Sequence, residues 1–587
     1  MRVPTDLFRF TINSLDPRLH FADGGIRGIE AWEPNFGMSG PLVKGRVWFA
    51  QGIDYRWERF SFDTNAGTEE SRYQAALSWN AVDAALSPSH HISFWVSTDP
   101  QTTHHAFITA FTPGSTLPQL HNGGWRSATI DRMVLSESST LETAVQIGAL
   151  RTEVTPSGSL PYVLAHDLLR GNYFNTQERM AHRFEITSQW SRSMPTHAGS
   201  HLVKAGGRFS SIAYDGIDAS MPVEQLRSDS SLARRISFFG PVAVSQSGRE
   251  MSLFVQDTWA INADLTLDVG VRYDEATIAR GAVAAPRIAA SWKIDQALTL
   301  VGGFGQYSDK VLLASATFPS LQSRTVTEFD TRGLVTDGPR TYVNRLDGDL
   351  RMPNADAWHL QLDRRAANGF IYRVAYQEQH GQQEPVLDVD DEPGAEALVL
   401  RSAGTSRSRS LEATVGQQST VNGSSVYMSY VRASAIGNLN DFVSLEGSVK
   451  EPYVQADAPG PLAADVPHRF LAWGLLKLPS RVTVAPFLEL RNGFPFSAID
   501  EEWRFAGSRN GQRFPVFASL DLSVNKIMKL PGSLPMAKVG LKLYNITGSH
   551  NSRDVQRDLL RPDFGTLYNP LRRQIRGVFE ILWGKTR

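Results

Sequence analysis

A period of two runs through this chain and limits what it can fold into. In Leu265-Thr-Leu-Asp-Val-Gly-Val-Arg-Tyr-Asp274, apolar residues stand at 265, 267, 269, 271 and 273, with Thr266, Asp268, Gly270, Arg272 and Asp274 between them. Successive side chains of a β-strand point to opposite faces, so this pattern makes a strand with one dry and one wet face. The same alternation recurs in Tyr73, Ala75, Leu77, Trp79 and Ala81, in Leu141, Val145, Ile147 and Ala149, in Phe370, Tyr372, Val374 and Tyr376, and in Val516, Ala518, Leu520, Leu522 and Val524. Antiparallel sheets with one buried face have this signature.

Alternating strands also build soluble sandwiches, so the connections decide. Short links (260–264, 294–297, 365–369, 478–480) take turns with long ones (308–355, 381–408, 435–466, 546–571). An up-and-down sheet with tight turns at one end and long loops at the other produces that alternation, whereas Greek-key crossovers do not. The expected fold is therefore all-β, a large antiparallel transmembrane barrel of about 20–22 strands with short periplasmic turns and long extracellular loops. Spread over 22 strands, the 587 residues leave about 27 for each strand and its connection, which suits the largest barrels. Trp48, Trp57, Trp79, Trp259, Trp292, Trp358 and Trp583 fall in or near strand ends, where a ring at headgroup depth competes with an ordinary strand aromatic.

Composition narrows the function. Lys and Arg number 59 against 60 Asp and Glu, so no basic field marks a nucleic-acid partner. The absence of cysteine removes disulfide frameworks and thiolate chemistry. No run of about 18 apolar residues could cross a bilayer as a helix. Met1 to Phe10 shows no basic region followed by an apolar stretch and a cleavage site, so the export signal for a chain expected in the cell outer membrane has to come from elsewhere.

Ligand and catalytic signals are sparse. Asp388-Val-Asp-Asp-Glu-Pro-Gly-Ala-Glu396 offers carboxylates for Ca²⁺, but Pro393 stands where an EF-hand loop needs glycine, which favours a solvated acidic loop. His90-His91 and His104-His105 would have to meet across a hairpin to hold a metal, and each pair of strand neighbours can present only one ring to a given face. Arg401, Arg407 and Arg409 among small polar residues suit an anionic sugar or a lipopolysaccharide phosphate, with a soluble loop as the alternative. Gly302-Gly-Phe-Gly305 lacks the third glycine of a dinucleotide loop and sits within a strand. Neither a His-Glu-x-x-His pair nor a Gly-x-Ser-x-Gly elbow occurs. The expectation is a non-enzyme with no assigned catalytic, metal or cofactor residue, and the substrate-binding residues stay unknown because they lie in loops.

Several landmarks together resemble the barrel of TonB-dependent outer-membrane receptors, in particular the large branch whose plug follows a carboxypeptidase-regulatory-like domain. Gly37-Met-Ser-Gly-Pro-Leu-Val-Lys-Gly-Arg-Val-Trp-Phe49 looks like the junction from plug into first barrel strand. Glu250 to Trp259 followed by Leu265 to Tyr273 is similar to the mid-barrel hairpin, and 285–292, 467–470, 520–522 and 543–547 look like later landmarks. The resemblance implies that residues 37–587 are receptor barrel and 1–36 a remnant of the plug-to-barrel linker. It also implies the wall and selecting loops of an active importer of a large nutrient: a glycan, siderophore or peptide. The partners implied are outer-membrane lipid and lipopolysaccharide, the nutrient, a plug domain and, through the plug, the TonB energy-coupling complex.

Two features depart from the pattern. A plug is expected to be absent from the sequence given, so the chain would be a downstream piece of a longer reading frame, pair with a separate plug, or serve as a passive pore or adhesive barrel. Strand Val578-Phe-Glu-Ile-Leu-Trp583 is followed by Gly-Lys-Thr-Arg587 rather than ending on its aromatic residue.

Overall fold

A computed structural model describes residues 8–13, 17–22, 25–419, 421–438, 450–455, 457–530 and 536–583. The alternating segments pair in sequence order into one closed antiparallel barrel of 22 strands. Tight connections lie at one end, among them 44–46, 88–89, 137–138, 197–198, 261–264, 294–297 and 366–369. The opposite end carries 105–118, 156–174, 221–242, 309–353, 492–516 and 545–573. Closure satisfies every strand edge, which an apolar surround requires.

The seam is made by the start of the chain. Arg9–Asn13 pairs on one side with Asn35–Val43 (Thr11 opposite Gly37) and on the other with Gln574–Trp583 (Thr11 opposite Leu582). Arg18–Ala22 continues the same wall strand, with Arg18 opposite Arg576. The expected division into a 1–36 linker remnant and a 37–587 barrel is therefore corrected for the described residues. The barrel wall begins by Arg9, and Gly37 lies inside the second wall strand rather than at a junction. No long-range partner for 9–22 could be read locally, because that partner lies more than 550 residues away along the chain. Residues 1–7 and 584–587, on which the leader and terminal readings partly rest, lie outside the described residues.

Residues directly opposite one another in a ladder share a face, so the register carries inside and outside around the wall. Met251, Leu253, Val255, Val269 and Val271 are exposed on the outer face. The face behind them carries Arg208, Glu250, Arg272 and Asp274, joined by Arg208–Glu250 at 3.5 Å and Arg272–Asp274 at 2.8 Å. From Glu250 the inner face runs through Ser210, Glu185, Gln146, Ala128 and Trp95 to Ala81. Trp79 and Leu77 alternate with Ala81, so in this quarter the expected dry face turns into the lumen. Trp48, opposite Asp83, also faces inward. Of the seven tryptophans, Trp48 and Trp79 are thus lumenal, whereas Trp57, Trp259, Trp292 and Trp358 lie on the outer face; nothing is described of the Trp583 side chain.

The expected loop 381–408 is mostly sheet. Phe370–Asp390 and Ala397–Gln418 form one hairpin that continues past the wall, leaving 391–396 as its tip. Its distal part holds Leu387, Leu398 and Leu400, all fully buried against Phe318, Leu350 and Met352. Burial of several aliphatic side chains, about 2 kcal/mol each, supports the extension.

Candidate functional site

The long connections fold over the loop end of the barrel as structure of their own. Tyr162–Leu164 runs parallel to Val223–Leu226, which pairs with Leu232–Phe239, then Ser323–Phe329, then Val335–Leu346, whose end runs parallel to 397–400. An apolar core beneath this second sheet gathers Val154, Tyr162, Leu164, Tyr173, Phe174, Val223, Ile236 and Trp503. Tyr162 and Phe174 stack with centroids 5.7 Å apart, and Phe174 and Phe238 at 5.9 Å. Burial pushes the Tyr162 and Tyr173 hydroxyls well above the ordinary phenol range, so both stay neutral. The last loop is tied in through His166 Nδ1, 3.0 Å from Asp558 Oδ2, and through Gln556 Nε2, which donates to the His166 carbonyl at 3.0 Å.

Between this sheet, segments 452–455 and 502–507, and Ala458 lies a cavity of about 630 Å³. Its charged walls are largely self-paired: Arg234 with Glu328 at 2.8 Å, Arg340 with Asp337 at 2.7 Å, and Tyr342, whose hydroxyl donates to Asp391 at 2.7 Å. Arg324 differs. It is buried, donates to the Pro452 carbonyl at 2.8 Å, and lies over the Phe238 ring at 5.4 Å. No carboxylate stands within ion-pairing distance of it among the described residues. Burial pulls its pKa down to about 10, still cationic at neutral pH. A buried cation balanced only by a carbonyl and a ring favours an anion that can reach it. Tyr453 and Trp503, rings 5.6 Å apart, supply an aromatic wall beside it.

A second recess, of about 590 Å³, opens in the lumen between Gln377, Gln379, Ser408, Ser410, Arg469 and Glu489. Arg469 meets Glu489 at 2.9 Å, and Arg491 lies 4.2 Å from the rings of both Phe494 and Phe517. A third polar cluster lines the seam: Arg576 reaches Glu33 at 3.0 Å and Glu58 at 3.6 Å, and Arg56 reaches Glu58 at 2.8 Å.

The residues singled out in sequence are dispersed. His90-His91 and His104-His105 sit at opposite ends of one wall strand, roughly 40 Å apart at strand rise, and cannot share a metal. His90 instead meets Asp131 at 2.7 Å, and His105 Nδ1 lies 2.9 Å from the Glu70 carbonyl. The acidic run is split among separate partners: Asp388 with Arg401 at 3.0 Å, Asp390 with Arg345, and Asp391 with Tyr342. No cluster of three metal-ligating side chains occurs among the described residues. Gly302 and Gly303 lie within a wall strand, where a Cβ on Gly303 would stand 2.9 Å from the Ala289 side chain. Sequence reasoning missed Arg324, Tyr453 and Trp503. One signal was available for Arg324: Ser323-Arg-Thr-Val-Thr-Glu-Phe329 alternates within a stretch expected to be loop.

Residues 28–525 match the family model described as TonB dependent receptor-like, beta-barrel. No protein of curated function matches in sequence. The fold is similar to the outer membrane transporter YddB from Escherichia coli, with a TM-score of 0.72 at 11% identity over 99% of this chain and 81% of that one. It is also similar to the ferric enterobactin receptor PfeA from Pseudomonas aeruginosa (TM-score 0.70, 12% identity, 99% and 82% covered). A third similar structure is the siderophore receptor PirA from Acinetobacter baumannii (0.69, 10%, 99% and 81%).

Proposed function

The chain belongs to the TonB-dependent receptor-like β-barrel family, and from that premise we propose that it forms the wall and the selecting mouth of an outer-membrane importer. The observation that carries this reading is the folded mouth: the loops bury two apolar cores of their own and leave a built cavity instead of an open rim. A solute held there is concentrated above the lumen and oriented before passage. Arg324 sets a preference for an anionic group, and Tyr453 with Trp503 a preference for flat rings beside it. Ferric siderophores with catecholate arms combine both properties, and the similar structures include a siderophore receptor and a ferric enterobactin receptor.

Gating is assigned to a plug domain within the lumen, coupled to the TonB complex. The inward Trp79 and Leu77, both about two-fifths exposed, give the wall an apolar patch for such a domain to cover. Barrel and loops then select, and the plug admits. The polar recess at Arg469 and Glu489 lies below the mouth, where a released solute would next find hydrogen-bonding partners.

Fluorescence titration tests the reading, because Trp503 lines the cavity. A ferric tris-catecholate should quench emission saturably, and Arg324→Gln should weaken that binding by about tenfold, the effect of losing one charge-assisted contact. Uptake of the same labelled chelate by cells should cease when the proton gradient is collapsed. Equal affinity of wild type and Arg324→Gln would refute the role given to Arg324, and energy-independent uptake would refute active import.

A further inference from the structure

Arg407 and Arg409 stand on the outside of the barrel wall. They alternate with Leu411 on one face of the strand Ala397–Gln418, and Leu411 is 48% exposed beside Tyr376. Arg432 lies opposite Leu411 on the next strand, on the face that carries Met428 and Tyr430 (47% and 43% exposed), and His468 lies opposite Arg432. Below them, away from the loops, the outer face is apolar: Leu360 and Leu362, Val374 and Tyr372, Leu411 and Val415, Met428 and Val426. The charged row therefore sits immediately above the apolar band, on the loop side, with Tyr376 and Tyr430 at the boundary.

The charges in this row do not cancel. Glu378 is taken by Arg407 at 2.5 Å and by His380 at 2.9 Å, and it also accepts from the Tyr376 hydroxyl. Arg432 donates to His468, whose Nδ1 lies 2.6 Å from the Tyr430 hydroxyl. Neither Arg409 nor Arg432 meets a carboxylate among the described residues, and both are exposed. They are diagonal neighbours, Arg409 opposite Ser434 and Arg432 opposite Leu411, so their Cα atoms lie about 7–8 Å apart. Glu378 stands opposite Arg409 but is shared with Arg407 and His380, so one carboxylate faces three arginines and the row keeps positive charge that an anion can offset. Directly above, a surface groove of about 630 Å³ is walled by Thr405, Ser406, Arg407, Gly437, Gly460 and Pro461, room for sugar beside the charges.

We propose that Arg409 and Arg432, with Arg407 beside them, form a binding site on the outer wall for the phosphorylated glucosamine headgroup of lipopolysaccharide. Its acyl chains lie along Leu411, Tyr430 and Met428, and its core sugars lie in the groove. The proposal rests on the outer-membrane placement given above. Arg401, the third arginine of the sequence cluster, takes no part: it is engaged by Asp388 at 3.0 Å and Asp347 at 3.1 Å.

The test is a titration of the purified, folded barrel in neutral detergent with bisphosphorylated lipid A and with the same lipid after phosphate removal, read by native mass spectrometry. Wild type should prefer the phosphorylated lipid by about tenfold or more, and Arg409→Gln/Arg432→Gln should lose that preference. The lumenal substitution Arg491→Gln should retain it, which separates a wall site from general charge. Equal binding of the two lipids by wild type, or an unchanged preference in the double variant, overturns the site. Heat-modifiable migration distinguishes failures: a chain that folds as a barrel yet shows no preference loses only this site, and one that never folds in lipid loses the outer-membrane reading as well.

Discussion

Asp218 is the joint on which the mouth is fastened to the wall, and removing its charge should be more damaging than removing the cation it holds. The carboxylate receives Lys450 Nζ at 2.6 Å, Arg179 at 2.8 Å and Asn175 Nδ2 at 2.8 Å. The side chains of Lys450 and Asp218 are 7% and 4% exposed. Lys450 belongs to a loop segment also attached through the Tyr173 hydroxyl, which donates to its carbonyl at 3.1 Å, through Arg324 on the Pro452 carbonyl and through Arg557 on the Tyr453 hydroxyl. In Asp218→Asn the buried ammonium loses its counter-charge, a change that costs about 3–5 kcal/mol. In Lys450→Met the carboxylate keeps Arg179 and Asn175, and the loss is that of one hydrogen bond, about 1 kcal/mol. The double variant should be less damaged than Asp218→Asn alone, because the stranded cation is gone. The energy resides in local opening of 450–455 rather than in the wall, so amide hydrogen exchange of that peptide is the suitable assay. Asp218→Asn should speed its exchange by about 10²- to 10⁴-fold, Lys450→Met by less than tenfold, with peptides of the strand Ala243–Ala260 unchanged. Lys450→Met exchanging as fast as Asp218→Asn would refute the charge argument, and uniform acceleration across the wall would refute the local one.

The assignment of faces predicts opposite responses to the same substitution. Val271→Arg, on the lipid side between Val255 and Pro286, should cost about 2–4 kcal/mol in guanidinium unfolding from lipid vesicles, whereas Trp79→Arg in the lumen should change stability by no more than about 1 kcal/mol; similar penalties would mean that the register has been followed to the wrong side. Tyr342 gives the mouth a pH dependence. Burial and its hydrogen bond to Asp391 raise its pKa to about 12, above the ordinary value of 10. The folded mouth therefore keeps the phenol proton that the unfolded chain gives up, and local stability is complete below pH 10 and declines as the pH rises from 10 through 12. The protection of 335–346, taken as its exchange rate relative to that of the unstructured peptide at the same pH, should fall over that window in wild type and not in Tyr342→Phe.

Much of the wall was legible because β-structure in a bilayer writes itself at a spacing of two residues. Leu265 to Tyr273 and Phe370 to Tyr376 lie on the faces their alternation assigned, and the turns at 261–264, 294–297 and 366–369 fall where polar residues interrupt it. An alternation distinguishes two faces but does not say which is inside. For Tyr73 to Ala81 the wetter-looking face points outward, and only the register carried round a closed cylinder reveals it. Residues 9–22 read as a linker because their partner strand, 574–583, lies at the other end of the chain.

The mouth was illegible for the same physical reason on a larger scale. Arg324 meets Pro452, and Tyr173 meets Lys450, across separations of 128 and 277 residues. The loop core of Ala106, Tyr162, Phe174, Val223 and Trp503 is assembled from four connections with no common period. Arg407 and Arg409 were visible as a cluster, but it took the barrel to turn them toward the lipid and to set Arg432 beside them. The sequence by itself determined a membrane barrel with one wet and one dry face per strand, since alternation is local and each strand's two faces meet different solvents. Closure of the seam, the inward turn of Trp79 and the cavity at Arg324 belong to the tertiary structure alone, because each depends on contacts between segments whose spacing along the chain carries no signal.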